Sequence, residues 1–173
     1  MKTIGILTNW NVPNYGAFLQ AYALQKVISS LDNNYDVRLM AYLEYEHYRV
    51  YYKLNNVRFR FSYLNPRTYL NILKRLLGGK TKALKSFLRF YKEFLPHTED
   101  LTKKTITEKT FDTIVLGSDI IWDYSIRFFN HDEFVFGNHL KSNNIISYAP
   151  SFGTVPPPTI TSHIRVLNML SVD

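Results

Sequence analysis

Hydrophobic positions fall into short runs and helical stripes that take turns along the chain. Residues 3–8 form an apolar and β-branched run that predicts a buried first strand. Residues 9–15 follow as a loop marked by Asn11, Pro13 and Asn14. From Gly16 the period changes. Ala17, Ala21, Leu24, Ile28 and Leu31 recur at helical spacing and predict one buried stripe, ended by Asp32-Asn33-Asn34. Residues 36–43 then read as a second strand. Strand, helix and strand in this order predict a βαβ unit and a parallel sheet.

The middle of the chain predicts two amphipathic helices. Tyr69, Leu70, Leu73, Leu76 and Leu77 make one stripe, ending at Gly78-Gly79. Leu84, Phe87, Leu88, Tyr91, Phe94 and Leu95 make the other, ending at Pro96. Residues 45–65 are rich in Tyr, Phe and Arg without a clear period, which suits a loop over a binding cleft. Residues 112–117 and 144–149 read as buried strands. Pro156-Pro157-Pro158 open a last helical pattern through Ile160, Ile164, Leu167 and Leu170. The fold class is therefore α/β, a doubly wound, Rossmann-like parallel sheet flanked by helices. Ligands in such sheets bind beyond the carboxyl ends of the strands.

Three loops lie at those ends. In the first, Gly16 lets backbone approach a ligand, the helix start offers free N–H groups, and Asn14 can bond sugar hydroxyls. The loop carries neither a dinucleotide fingerprint nor a P-loop, and by itself an ordinary capped turn is the better explanation of it. In the second, Gly117-Ser118-Asp119 leaves a strand and meets Trp122. Asp119 could take a proton from an attacking hydroxyl, or cap a helix, as could Ser118. Trp122 could stack on a sugar or fill a core. The third runs Ser147-Tyr148-Ala149-Pro150-Ser151-Phe152-Gly153, where Tyr148 and Ser151 supply hydroxyls and Phe152 suits packing.

Composition narrows the partners. The chain of 173 residues has no cysteine, which excludes disulfides, thiolate metal sites and a Cys nucleophile. His97, His131, His139 and His163 lack metal-ligand spacing, so no metal is expected. No secretory leader or membrane-length apolar run stands out, which predicts a cytoplasmic protein. Charge is uneven: the net is +7, and residues 47–92 hold 12 Lys/Arg and no Asp or Glu. Such a block suits an anionic partner, or is simply a solvated helical face. An anionic membrane surface met through residues 48–92, on the inner face of the membrane, is one such partner. Nucleic acid is not expected, since no reading motif is present.

Taken together, Asn14-Tyr15-Gly16-Ala17, Gly117-Ser118-Asp119 with Trp122, and Ser147 through Gly153 resemble the markers of the polysaccharide pyruvyl transferase family. The chain departs from that pattern at Ile120, where relatives often carry a polar residue such as Gln. The resemblance implies the N-terminal half of a two-domain, GT-B-type transferase. It implies transfer of pyruvyl from phosphoenolpyruvate to a saccharide acceptor, lipid-linked in one version, for capsule or exopolysaccharide synthesis. Asp119 would be catalytic, with Asn14, Gly16, Ser118, Trp122, Tyr148 and Ser151 binding substrate. Phosphoenolpyruvate is then a donor substrate, and no cofactor is implied. Residues 1–173 would form one domain with a basic helical segment near 45–96, and donor groups would come from a second domain or partner chain that is missing here. On that reading the isolated chain is inactive. A GT-B glycosyltransferase fragment, or a non-catalytic module binding anionic lipid or polysaccharide, stays as the alternative.

Overall fold

A computed structural model describes residues 1–43, 80–126 and 132–154, with the single helical positions Pro66, Tyr69, Leu70 and Leu73. The expectations for residues 45–65, for the end of the first basic stripe and for the proline-led C-terminal helix lie outside the described residues.

The described elements are β1 (Lys2–Leu7), α1 (Tyr15–Leu31), β2 (Tyr35–Tyr42), α2 (Lys80–Phe94), β3 (His97–Leu101), β4 (Thr110–Gly117) and β5 (Lys141–Tyr148). They build a five-stranded sheet in the order β3-β2-β1-β4-β5, and every neighbouring pair is parallel. All carboxyl ends therefore share one edge. The chain steps outward from β1 to β3, then crosses to β4 on the other side of β1. That reversal is a topological switch point between β1 and β4, which pair in register with Leu7 opposite Leu116.

Central strands are buried on both faces, so they read as continuous apolar runs. One core cluster joins Ile4, Ile6, Leu39 and Val115 to Phe18, Ala21 and Leu24 of α1 and to Tyr91 and Leu95 at α2. The other joins Leu7, Met40, Ile114 and Leu116 to Ile106, Phe134 and Phe136, which stand on two short 3-10 turns. The α1 stripe is buried at Ala17, Ala21 and Leu24, but Leu31 is exposed. Gln25 is buried instead: its Nε2 donates to Val37 O at 2.9 Å and Pro96 O at 2.7 Å, tying α1 to β2 and to the entry of β3. No helix among the described residues is long and apolar enough to cross a membrane. Among the same residues, no group of three or more His, Asp or Glu could hold a metal ion.

The outer ends of β1 and β4 are joined by one carboxylate. Asp112 Oδ2 accepts from Thr3 N at 2.7 Å and from Thr3 Oγ1 at 2.9 Å. Those bonds, the backbone one first, hold the Asp112 carboxyl below its ordinary range. A depressed carboxylate adds stability above its unfolded pKa and loses it as pH falls through the folded value. Asp112→Asn should therefore flatten the fall in melting temperature below about pH 4 while changing little at pH 7 beyond a constant offset. Melting curves of both proteins across acid pH check this. Parallel acid slopes would show that Asp112 is not the coupled group.

Candidate functional site at the carboxyl edge

The β1–α1 loop is held from beneath. Trp10 is fully buried, and its Nε1 donates to Met40 O at 2.9 Å. Asn14 caps α1: its Oδ1 accepts from Gly16 N at 2.9 Å and Ala17 N at 3.4 Å. The amides that an anion would seek at this helix start are thus already bonded. From α2, Tyr91 donates its hydroxyl to Asn14 O at 3.2 Å. Burial, with Tyr15 nearby, pushes the Tyr91 phenol up to about 12, so it stays a neutral donor.

The second and third loops are joined through backbone. Ser118 N donates to Tyr148 O at 2.9 Å, Ser151 N to Asp119 O at 2.8 Å, and Trp122 N to Ser151 O at 3.2 Å. Residues 30 or so positions apart in the chain therefore form one rigid wall. Gly117 has φ +108°, and Tyr148 O lies 2.6 Å from where its Cβ would be. Ser118 and Ala149 also take positive φ, 53° and 44°, as does Gly153 at 66°. Backbone in this region is costly for residues other than glycine, and such strain gathers at ligand-facing turns.

Side chains in the wall divide into two groups. Trp122 is committed to packing: its Nε1 donates to Val135 O at 2.9 Å, and its ring lies against Phe136 and Phe152. Ser151 Oγ accepts from Gly153 N at 2.9 Å. Asn14 Oδ1 is used by its cap. Three other groups keep bonding capacity unused by the wall. Asp119 is half-buried, and only its Oδ1 is bonded, to Ile120 N at 2.8 Å. Tyr148 is 56% exposed. Ser118 is 3% exposed, yet its hydroxyl has no hydrogen-bond partner among the described residues. A buried unbonded hydroxyl is costly, and a ligand is one way to satisfy it.

Ser118, Tyr148 and Ala149 stand at one end of a cleft of about 480 Å³. Its walls are Gln20, Leu24 and Val27 of α1 and Val115 and Ile146 of the sheet. Sequence reasoning missed Asp123, a buried carboxylate beside this wall. Asp123 Oδ1 accepts from Ser125 N at 3.0 Å and Ser125 Oγ at 2.5 Å. A Cβ on Gly153 would come within 2.5 Å of Asp123 Oδ2, so Gly153 is required for this approach. A lone Asp between Trp122 and Tyr124 gives no sign of its own burial, which is why the pattern does not single it out. Loops 8–14, 118–126 and 149–154 contain no Lys or Arg.

A parallel sheet with its switch point between β1 and β4, and loops from β1, β4 and β5 at its carboxyl edge, defines a Rossmann-like α/β domain. The polysaccharide pyruvyl transferase family model matches residues 14–169. The chain belongs to that family. No curated protein and no solved structure matches it.

Proposed function

We propose that this domain supplies the acceptor side of a pyruvyl transferase that acts on a saccharide of a cell-surface polysaccharide. The observation that carries the reading is the joined wall of residues 118–122 and 148–151, inside the matched family segment, with an unbonded Ser118 hydroxyl and an outward Asp119. In the reaction, C2 of phosphoenolpyruvate gains bonds to two sugar oxygens. Its methylene carbon takes one proton, and phosphate leaves. The two sugar hydroxyls must each lose a proton. Asp119 accepts one of them, and Ser118 and Tyr148 orient the acceptor. In the net balance one proton matches that taken by the methylene carbon, and the other leaves with the phosphate. Gly16 allows close approach at the β1 loop. Ser151 and Trp122 act by holding the wall in shape, and Asn14 by capping α1 at the β1 loop.

Phosphoenolpyruvate carries a carboxylate and a phosphate, which need cationic partners. The three loops hold none, so donor-holding groups come from elsewhere, as in a GT-B-type arrangement with a second domain. The chain on its own is therefore proposed to bind acceptor without turnover. The test is ketal formation, followed by acceptor mass and phosphate release, with this domain in the context of a complete transferase. Asp119→Asn should lower kcat by about 10²- to 10⁴-fold with little change in KM. Transfer from a nucleotide sugar instead, or full activity in Asp119→Asn, would overturn the assignment.

A further inference from the structure

Helices α1 and α2 pack through Phe18, Phe87 and Tyr91, whose ring centroids lie 4.2 Å (Phe18–Tyr91) and 4.0 Å (Phe87–Tyr91) apart. Beyond this seam the aromatic surface continues into solvent. Phe90 and Phe94 are 50% and 53% exposed, and their rings stack at 5.4 Å. Tyr22 borders Phe94 at 5.7 Å, and Leu19 and Tyr15 of α1 are exposed too. Phe94 was expected in the buried stripe of α2, but it stands outside. The basic segment repeats the theme, with Tyr69, Leu70 and Leu73 exposed. Scattered exposed apolar residues are ordinary, whereas several large rings sharing one face mark an interaction surface.

Charge selects the partner. Residues 47–92 hold 12 Lys/Arg and no acid. Near the rings, Lys26 lies 5.7 Å from the Tyr22 ring centre. The ion pairs there engage cations as well, Arg89 with Glu93 at 3.5 Å and Lys92 with Asp100 at 2.5 Å, but α2 as a whole carries Lys80, Lys82, Lys85, Arg89 and Lys92 against the single acid Glu93. Exposed rings beside diffuse positive charge match an apolar layer under a negative surface, as an amphipathic interfacial helix does. We propose that the α1–α2 aromatic face docks on an anionic lipid bilayer, with Phe90 and Phe94 entering the headgroup boundary. Tyr15 adjoins Asn14, so docking would bring the β1 loop close to the membrane, where a lipid-linked acceptor would be presented. The surface is separate from the candidate site, and the proposal stands whether or not the transferase reading does.

The test uses the full chain and flotation with vesicles of phosphatidylglycerol and phosphatidylcholine, or of phosphatidylcholine alone. Binding is expected only with the anionic lipid, and weakens with salt. Phe90→Gln with Phe94→Gln should weaken binding at least ~10-fold, and Arg89→Glu about 5-fold, with unchanged circular dichroism. Phe90→Trp gives an independent readout: its emission should shift blue on anionic vesicles and be quenched by brominated acyl chains. Equal binding to both vesicle types, no emission shift, or a homodimer that dissociates in the Phe90→Gln, Phe94→Gln variant would overturn the proposal.

Discussion

Trp10→Ala is expected to cost about 3–5 kcal/mol and to lower the melting temperature by roughly 10–15 °C. The indole is fully buried where the β1–α1 loop crosses the sheet, among Ile6, Leu39, Phe18 and Tyr91. Removing it leaves a large cavity that a parallel sheet cannot close by shifting one strand. It also strands Met40 O, which accepts the indole N–H at 2.9 Å and lies in the core. The unsatisfied buried carbonyl, about 1–3 kcal/mol, is part of that total. Because domains of this kind are stable by only about 5–15 kcal/mol, the variant should be partly unfolded near physiological temperature. Trp10→Phe keeps most of the volume and loses the hydrogen bond, so it should fall between the two. Thermal melts by circular dichroism give the ranking. A drop under about 3 °C for Trp10→Ala would show that the loop does not depend on this anchor.

Most of the sheet was legible, because strands buried on both faces cannot alternate and so announce themselves as apolar runs. Residues 3–8, 36–43 and 112–117 mark β1, β2 and β4 with small shifts at their ends. Residues 144–149 mark β5 too, but that strand, expected to be buried, is a sheet edge with no buried residue, Ile146 being 53% and Tyr148 56% exposed. Helix α1 was legible from its spacing, whereas Asn14, read as a bonding partner for sugar hydroxyls, is its N-cap. Strand β3 was not, since His97–Leu101 reads His-Thr-Glu-Asp-Leu, an edge strand with two exposed acids. Its place is decided by β2 beside it and by Gln25 beneath Pro96, both long-range facts. The stripe rule also misassigned Leu31 and Phe94, because it records which face is apolar and not how far the neighbouring layer reaches.

For the site, residue types identified the loops, while geometry divided their roles. Nothing local distinguishes Ser118, which has an unbonded hydroxyl, from Ser151, whose hydroxyl closes a turn onto Gly153 N. The difference comes from the fold: Ser118 is buried at a left-handed φ of 53° where β4 ends, while Ser151 lies in a partly exposed loop. Asp119 was read as a base or a helix cap. No helix follows it among the described residues, and the 3-10 turn at Glu133–Phe136 is capped by Asp132 instead. The carboxylate is thereby left to the loop surface.

Gly117→Ala is expected to damage fold and site together, which makes it the sharpest test of how they are coupled. The residue ends β4, pairs with Tyr148 of β5 and carries φ +108°, where an L side chain is strained whatever the space. Strain of that kind costs about 1–3 kcal/mol. An added Cβ would also sit 2.6 Å from Tyr148 O and 3.2 Å from Pro150 N, both backbone atoms that cannot rotate away. Relief requires β4 and β5 to separate at their carboxyl ends. That movement breaks the bond from Ser118 N to Tyr148 O, and with it the register that brings Asp119 O to Ser151 N. Stability should fall by about 2–4 kcal/mol, and activity in a complete transferase by more than unfolding explains, because the acceptor wall opens even in molecules that stay folded. Hydrogen exchange separates the two effects. Faster exchange at the Ser118, Trp122 and Ser151 amides, with protection kept in β1 and β2, is the expected pattern. Wild-type exchange at those three amides would mean that the two loops hold their shape without the glycine, and that the wall owes nothing to the close passage of the β4 and β5 backbones.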